Sequence, residues 1–229
     1  MTRLQQPCYC RNIYKTVELF AGSPFRGTFA AYFNCKSMIL PIVAYGAPVL
    51  RKIAQPITAE YPDLKKLIED MWETMYSSNG VGLAAPQINR DIRLFVVDSE
   101  QIFDNLEDDE KGKYNDAPGI KKVFINAQVE AIHGEEWAYN EGCLSIPKIR
   151  EDIMRGEAVT MTYYDENFKQ FRSTFSGITA RVILHEYDHI EGKLFIDYLK
   201  PLRKKMLQSK LNDISKGKIK VDYKMSFAK

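Results

Sequence analysis

The sequence predicts an α+β fold, and three stretches predict it. Leu64, Leu67, Ile68, Met71, Trp72 and Met75 recur at the three- and four-residue steps of a helix with one apolar face. Ala158 to Tyr164 and Gln170 to Phe175 alternate about the turn Asp165-Glu166-Asn167, as the two arms of an antiparallel hairpin do. A second helical period, Ile178, Val182, Tyr187 and Ile190, contains His185-Glu186-Tyr187-Asp188-His189 and meets a natural stop at Gly192.

With 229 residues, 45% of them hydrophobic, the chain suits one domain with one substantial core. No run approaches the ~18 apolar residues a membrane helix needs, and no internal repeat is evident, so a soluble protein is expected. The net charge of +2 hides an uneven distribution: residues 1–37 carry +4 and residues 200–229 carry +8, which leaves −10 on residues 38–199. An acidic body with a basic end bears on partners rather than on fold. Cys8, Cys10 and Cys35 lie in the first segment and Cys143 is alone in the body, which favours a reducing compartment and leaves that thiol free for chemistry.

Along the chain, residues 1–37 show no clear period. They are poor in acidic residues, as an organelle transit peptide is, yet hold only two serines and no clean amphipathic helix. The preferred reading makes Met38 the natural start, because Met38-Ile-Leu-Pro-Ile-Val opens an apolar run. Residues 1–37 are then an extension outside the catalytic domain, 38–201 that domain, and 202–229 a C-terminal helix and basic tail. Tyr45 to Pro56 reads as an irregular entry, and the helix from Leu64 ends near Ser78-Asn79-Gly80. Gly80-Val81-Gly82-Leu83-Ala84-Ala85-Pro86-Gln87-Ile88 has two glycines that permit close backbone approach, and Gln87 adds an amide donor to apolar surroundings. Leu94 to Asp98 is a buried strand, Asn105 to Gly119 a charged surface insertion, and Val123 to Ile132 a further strand with His133 near its end. Ser176 is the expected cap of the second helix, Arg181 is expected on its solvated face, and the last helix runs from about Leu202 to Ile214.

Chemistry concentrates in His185-Glu186-x-x-His189. On a helix the two imidazoles stand one turn apart and can reach one metal ion, while Glu186 can take a proton from a water there. Two of the chain's three histidines are in this motif. A catalytic metal site needs a third ligand, and the candidates in the body are carboxylates and Cys143. Glu191 is too close along the same helix to complete the site well. No histidine follows His189, which excludes the pattern whose third ligand is a downstream histidine.

Three segments together, Gly80-Val81-Gly82-Leu83-Ala84-Ala85-Pro86-Gln87, Glu141-Gly142-Cys143-Leu144-Ser145 and His185-Glu186-Tyr187-Asp188-His189, resemble the three signature motifs of peptide deformylases, in that family's order. The resemblance spans about residues 38–201. It implies antiparallel sheets packed around a central metal-binding helix, with helices near either end. It also implies removal of the N-formyl group from the initiator methionine of newly made polypeptides. Cys143, His185 and His189 would hold the metal with a water in the fourth position, and Glu186 would serve as general base and then general acid. Gln87 and the backbone N–H of Leu144 would donate to the oxyanion formed on the formyl carbonyl. Gly82 would offer backbone to an extended substrate peptide, and Val81, Glu141, Ile178 and Val182 would line the methionine pocket. For the three aliphatics the alternative is ordinary core; for Glu141 it is a bond to a metal ligand, or a plain ion pair.

The implied ion is ferrous iron in the cell, with zinc, nickel and cobalt also accommodated by one thiolate and two imidazoles. Formylmethionyl nascent peptides are the expected partners, with a ribosome contact through the basic C-terminal tail and neither DNA nor membrane. A cytoplasmic location follows, or an organelle if residues 1–37 are a transit peptide. The competing readings are a zinc endopeptidase and a non-catalytic binder of nascent chains on the same fold.

Overall fold

A computed structural model describes residues 37–106, 116 and 118–227. The expectations for residues 1–36, and most of those for the insertion after Asn105, lie outside the described residues. The elements are β1 (Ile42–Val43), α1 (Leu64–Ser77), β2 (Gly82–Ala84), β3 (Leu94–Asp98), α2 (Glu100–Asp104), β4 (Lys121–Cys143), β5 (Ile146–Tyr164), β6 (Gln170–Ser176), α3 (Gly177–Ile190), α4 (Pro201–Ser215) and β7 (Met225–Ser226). Short 3-10 turns occupy Pro48–Arg51, Ala85–Ile88 and Phe195–Tyr198.

Strands β2 to β6 form one antiparallel sheet in sequence order, and β1 pairs in parallel with β7 as a separate ribbon. The α+β expectation is met. The β4–β5 hairpin is much longer than the sequence reading allowed: it runs from the pair Ile125↔Tyr164 to a tip where Cys143 pairs with Ile146. The register slips at several points along it, including between His133 and Glu136, so an inward-outward alternation cannot be followed through the strand. Its middle, from Ile132 to Glu136, is also exposed residue after residue. His133 is therefore inside a strand and not at its end, with Nε2 2.8 Å from Thr160 Oγ1.

Helix α1 buries Leu64, Ile68, Met71 and Met75 on one face against Leu83, Leu94, Val96 and Ile125. It ends where Asn79 takes a left-handed conformation, φ 55°, and the Gly80 N–H returns to the Met75 carbonyl. Helix α3 is a core helix: every residue except Gly177 and Tyr187 is buried, with Ile178, Ile183 and Leu184 among Phe95, Phe124, Val159 and Met161. A third core gathers Leu207, Leu211 and Ile214 of α4 onto Ile146, Ile149, Ile153 and Phe195, which fixes the C-terminal helix beside the hairpin tip.

The C-terminal stop of α3 is as expected. Gly192 has φ +70°, the Lys193 N–H reaches the Asp188 carbonyl at 2.8 Å, and a Cβ at Gly192 would fall 2.9 Å from the Arg51 carbonyl oxygen. Two expectations for the helix are overturned. Ser176 makes no side-chain cap bond; Asp116, just before β4, accepts the Thr179 N–H at 2.7 Å and puts a negative group at the helix N-terminus. Arg181 is not on a solvated face: it is 2% exposed, donates to the carbonyls of Ile153 (3.0 Å) and Trp137 (2.7 Å), and lies over the Trp137 ring. With almost no polar face, α3 has no outward side on which an arginine can rest, so its charge is neutralised inside.

Because the cap comes from a distant segment, Asp116→Ala should cost about 1 kcal/mol, or a few degrees of melting temperature for a domain of this size. Calorimetry of the variant beside Ser176→Ala checks this, and an equal or larger loss in the serine variant would reverse the assignment.

Candidate metal centre

The helical repeat of α3 puts His185 and His189 on one face, and the tip of the β4–β5 hairpin brings Cys143 to them. One ligand atom from each of the three lies within 4.8 Å of those of the others. Cys143 Sγ is 3.2 Å from His189 Nε2. His185 Nδ1 is 2.9 Å from Glu141 Oε2, which fixes that ring and turns Nε2 toward the cluster. One sulfur and two imidazole nitrogens form a three-donor set of the catalytic type, open at a fourth position, and they fit a divalent transition ion. The burial of His185 disfavours a charged ring, yet contacts with Cys143 and Glu141 outweigh this and hold its pKa well above the ordinary imidazole value. His189 is pushed the other way, first by burial and then by His185 and Arg155, and so presents a neutral ring.

Gln87 comes from the 3-10 turn after β2. Its Oε1 accepts the Ala84 N–H at 2.7 Å, which turns the amide so that Nε2 lies 3.5 Å from both Cys143 Sγ and Ser145 Oγ. The donor is thus aimed across the mouth of the cluster. Glu186 is buried, and its Oε2 has no hydrogen-bond partner among the described residues. Burial is the main cause that raises its pKa to about 7, with the charges of Glu141 and Asp188 adding to it. A carboxyl tuned to neutrality can both take and return a proton near pH 7. Gly82 faces it: a Cβ there would fall 2.5 Å from Glu186 Oε1, so the glycine makes room for the carboxylate.

Glu141 bonds Arg155 (2.8 and 3.1 Å), Arg181 (3.3 Å) and His185. Burial opposes its charge, but the bonds from His185 and Arg155 bring its pKa down to about 2. Its bond to His185 favours the metal-ligand alternative, while Val81, Ile178 and Val182 belong to the core around α3. Two participants had no signal in the sequence: Arg155, which also bonds Asp188 at 2.7 Å, and Tyr198, whose hydroxyl donates to Asp188 at 2.9 Å; Ser145, beside Gln87, lies in the second of the three segments. Asp188 occupies an x position of the His-Glu-x-x-His pattern, and the fold reveals that it receives an arginine from β5. Glu191 is turned away to Arg93, 2.6 Å distant, and takes no part in the cluster.

The polypeptide deformylase family model matches residues 39–205. The chain belongs to this family. Its relatives include the peptide deformylases of Christiangramia forsetii, 54% identical over 83% of this chain and 96% of that one, and of Flavobacterium johnsoniae, 51% identical over 83% and 97%. Among solved structures it resembles the deformylase of Legionella pneumophila, with a TM-score of 0.66 and 37% identity, covering 79% of this chain and 98% of that one. The deformylase match takes in all three segments that carry Gln87, Cys143 and the two histidines.

Proposed function

We propose that the chain is a metal-dependent hydrolase that removes the N-formyl group from the initiator methionine of newly synthesised polypeptides. The observation that carries this is the convergence of Cys143, His185 and His189, with the buried Glu186, whose Oε2 has no partner among the described residues, and the amide of Gln87 beside them. A divalent ion held by those three side chains supplies Lewis acidity and lowers the pKa of water there. Glu186 accepts the proton of the attacking water and returns it to the leaving amine. Gln87 Nε2 and the Leu144 N–H donate to the oxygen that gains charge on the formyl carbon, and Glu141 keeps His185 in the tautomer and orientation a ligand needs. Val81, Ile178 and Val182 offer an apolar wall for the methionine side chain, and the backbone at Gly82 pairs with the extended peptide.

Ferrous iron is the proposed ion. The donor set also accepts zinc, nickel or cobalt, and affinity alone does not choose among them. A cytoplasmic site of action fits an enzyme of new chains; among the described residues no helix is long and apolar enough to cross a membrane. The basic C-terminal segment is the proposed contact with ribosomal RNA, since Lys205, Lys210, Lys216, Lys218, Lys220 and Lys224 are all exposed.

The reaction is tested by formate release from formyl-Met-Ala-Ser. Glu186→Gln should retain its metal and lose at least about 100-fold in rate, the usual worth of acid-base catalysis; near-normal turnover in a metal-replete variant would remove the role. Iron-loaded protein kept in air should lose activity and gain oxygen on Cys143 by mass spectrometry, while nickel-loaded protein keeps both unchanged. A zinc form as active as the iron form, with neither affected by air, would overturn the choice of iron. Co-sedimentation with ribosomes should fall steeply as salt rises, and binding insensitive to salt would count against the RNA contact.

A further inference from the structure

Beyond α4 the chain returns to the body as a strap. Ile219, Met225 and Phe227 pack on the core that holds the hairpin tip, and Met225 and Ser226 pair in parallel with Ile42 and Val43. The Ile42 N–H reaches the Lys224 carbonyl at 2.9 Å and the Ala44 N–H reaches the Ser226 carbonyl at 2.8 Å. The same N-terminal segment then bonds the hairpin tip, the Tyr45 N–H donating to the Ser145 carbonyl at 2.8 Å. One residue of the strap goes further. The Tyr223 hydroxyl donates to the Leu144 carbonyl at 2.7 Å, and its ring packs with the group that includes Leu144.

The tip between Cys143 and Ile146 spans only Leu144 and Ser145, and both of their carbonyls are thus held from outside the hairpin. Leu144 is the residue whose N–H faces the developing oxyanion in the reading above. The aim of a backbone N–H is set by the peptide plane that carries it, and in a two-residue turn that plane holds still only if the chain on both sides of it is held. Cys143 pairing fixes one side, and an anchor on the Leu144 carbonyl fixes the other. We infer that Tyr223 is a positioning residue for deformylation, its hydroxyl fixing the Cys143–Leu144 segment so that the Leu144 N–H stays aimed at the reacting oxygen. Burial first, and then the nearby Cys143, raise the phenol pKa above its ordinary value, so the group stays a donor across the working pH range. The inference rests on the oxyanion role proposed for Leu144. It also means that the C-terminal segment belongs to the catalytic apparatus and is not only a charged appendage.

The test is Tyr223→Phe in the full-length, metal-loaded chain, which keeps the ring and removes the one hydrogen bond. The kcat for the formylated tripeptide should fall by about tenfold, a fraction of the ~100-fold or more that loss of a whole oxyanion donor costs, with KM changed less than about twofold. Amide hydrogen exchange at Leu144 and Ser145 should quicken relative to the wild type, while exchange in α1 stays the same. A kcat within twofold of the wild type with unchanged exchange at the tip would overturn the inference. So would faster exchange throughout the domain with no separation of kcat from KM, which is what loss of stability alone produces. Formate release by the unaltered protein checks the reaction itself, so failure of that reading is distinguishable from failure of the clamp.

Discussion

The carboxylate of Glu141 joins the two elements that make the site, since it leaves β4 just before the cysteine and meets His185 of the buried helix. Such a group is costly to hide, and it is tolerable only because Arg155 and Arg181 neutralise it and hydrogen bonds occupy both its oxygens. Those arginines need anions of their own, which Asp188 supplies for Arg155 while Trp137 and two carbonyls receive Arg181. Removing Glu141 leaves the buried Arg181 guanidinium without its anion, typically a loss of about 3–5 kcal/mol. The rest of the site inherits its geometry from this network. If Glu141 were free to turn, His185 would lose its fixed ring orientation, and the hairpin tip carrying Cys143 would lose a tie to α3.

That network also sets the proton chemistry. Burial first, and then the nearby Glu141 and Asp188, resist a negative charge on Glu186, against the opposing pull of His185. Glu186 has no arginine of its own. Its carboxyl is thereby brought to about 7, whereas Glu141, equally hidden, is driven to about 2 by its cations. Two glutamates in one core acquire opposite behaviour from their neighbours alone, which is how one can serve as a scaffold and the other as a proton carrier.

The parts of this arrangement that the sequence disclosed are those written in local spacing. The amphipathic period of α1, the alternation of β5 and β6 and the four-residue step between His185 and His189 each depend on residues close in the chain, and each was legible. The stop at Gly192 was legible for the same reason. What stayed hidden depends on contacts between distant segments. Asp116 caps α3 from 63 positions upstream of Thr179, and nothing near Asp116 in the sequence marks it as a helix cap. Arg181 looked like a surface charge because a single arginine in a helix normally is one; that reading fails where the helix is buried on every side. The length of the β4–β5 hairpin was lost to register slips and to a middle section exposed on both faces, which erase the alternation that reveals a half-buried strand.

The C-terminal segment shows how composition can conceal a second role. Its lysines suggest a basic tail that meets an acidic partner, and Lys218, Lys220 and Lys224 do face water. Between and just after them lie Ile219, Tyr223, Met225 and Phe227, partly buried, directed at the body and too few to raise a periodic signal. A strap of this pattern presents charge outward without giving up its grip inward. Contact with a polyanion at the lysines would therefore press on a segment whose other face holds the Leu144 carbonyl. Any partner that pulled the segment away would have to break the β1–β7 pairing and the Tyr223 bond together. A surface contact that leaves the strap in place is energetically the simpler one, so the lysines can meet a partner while the hairpin tip stays anchored.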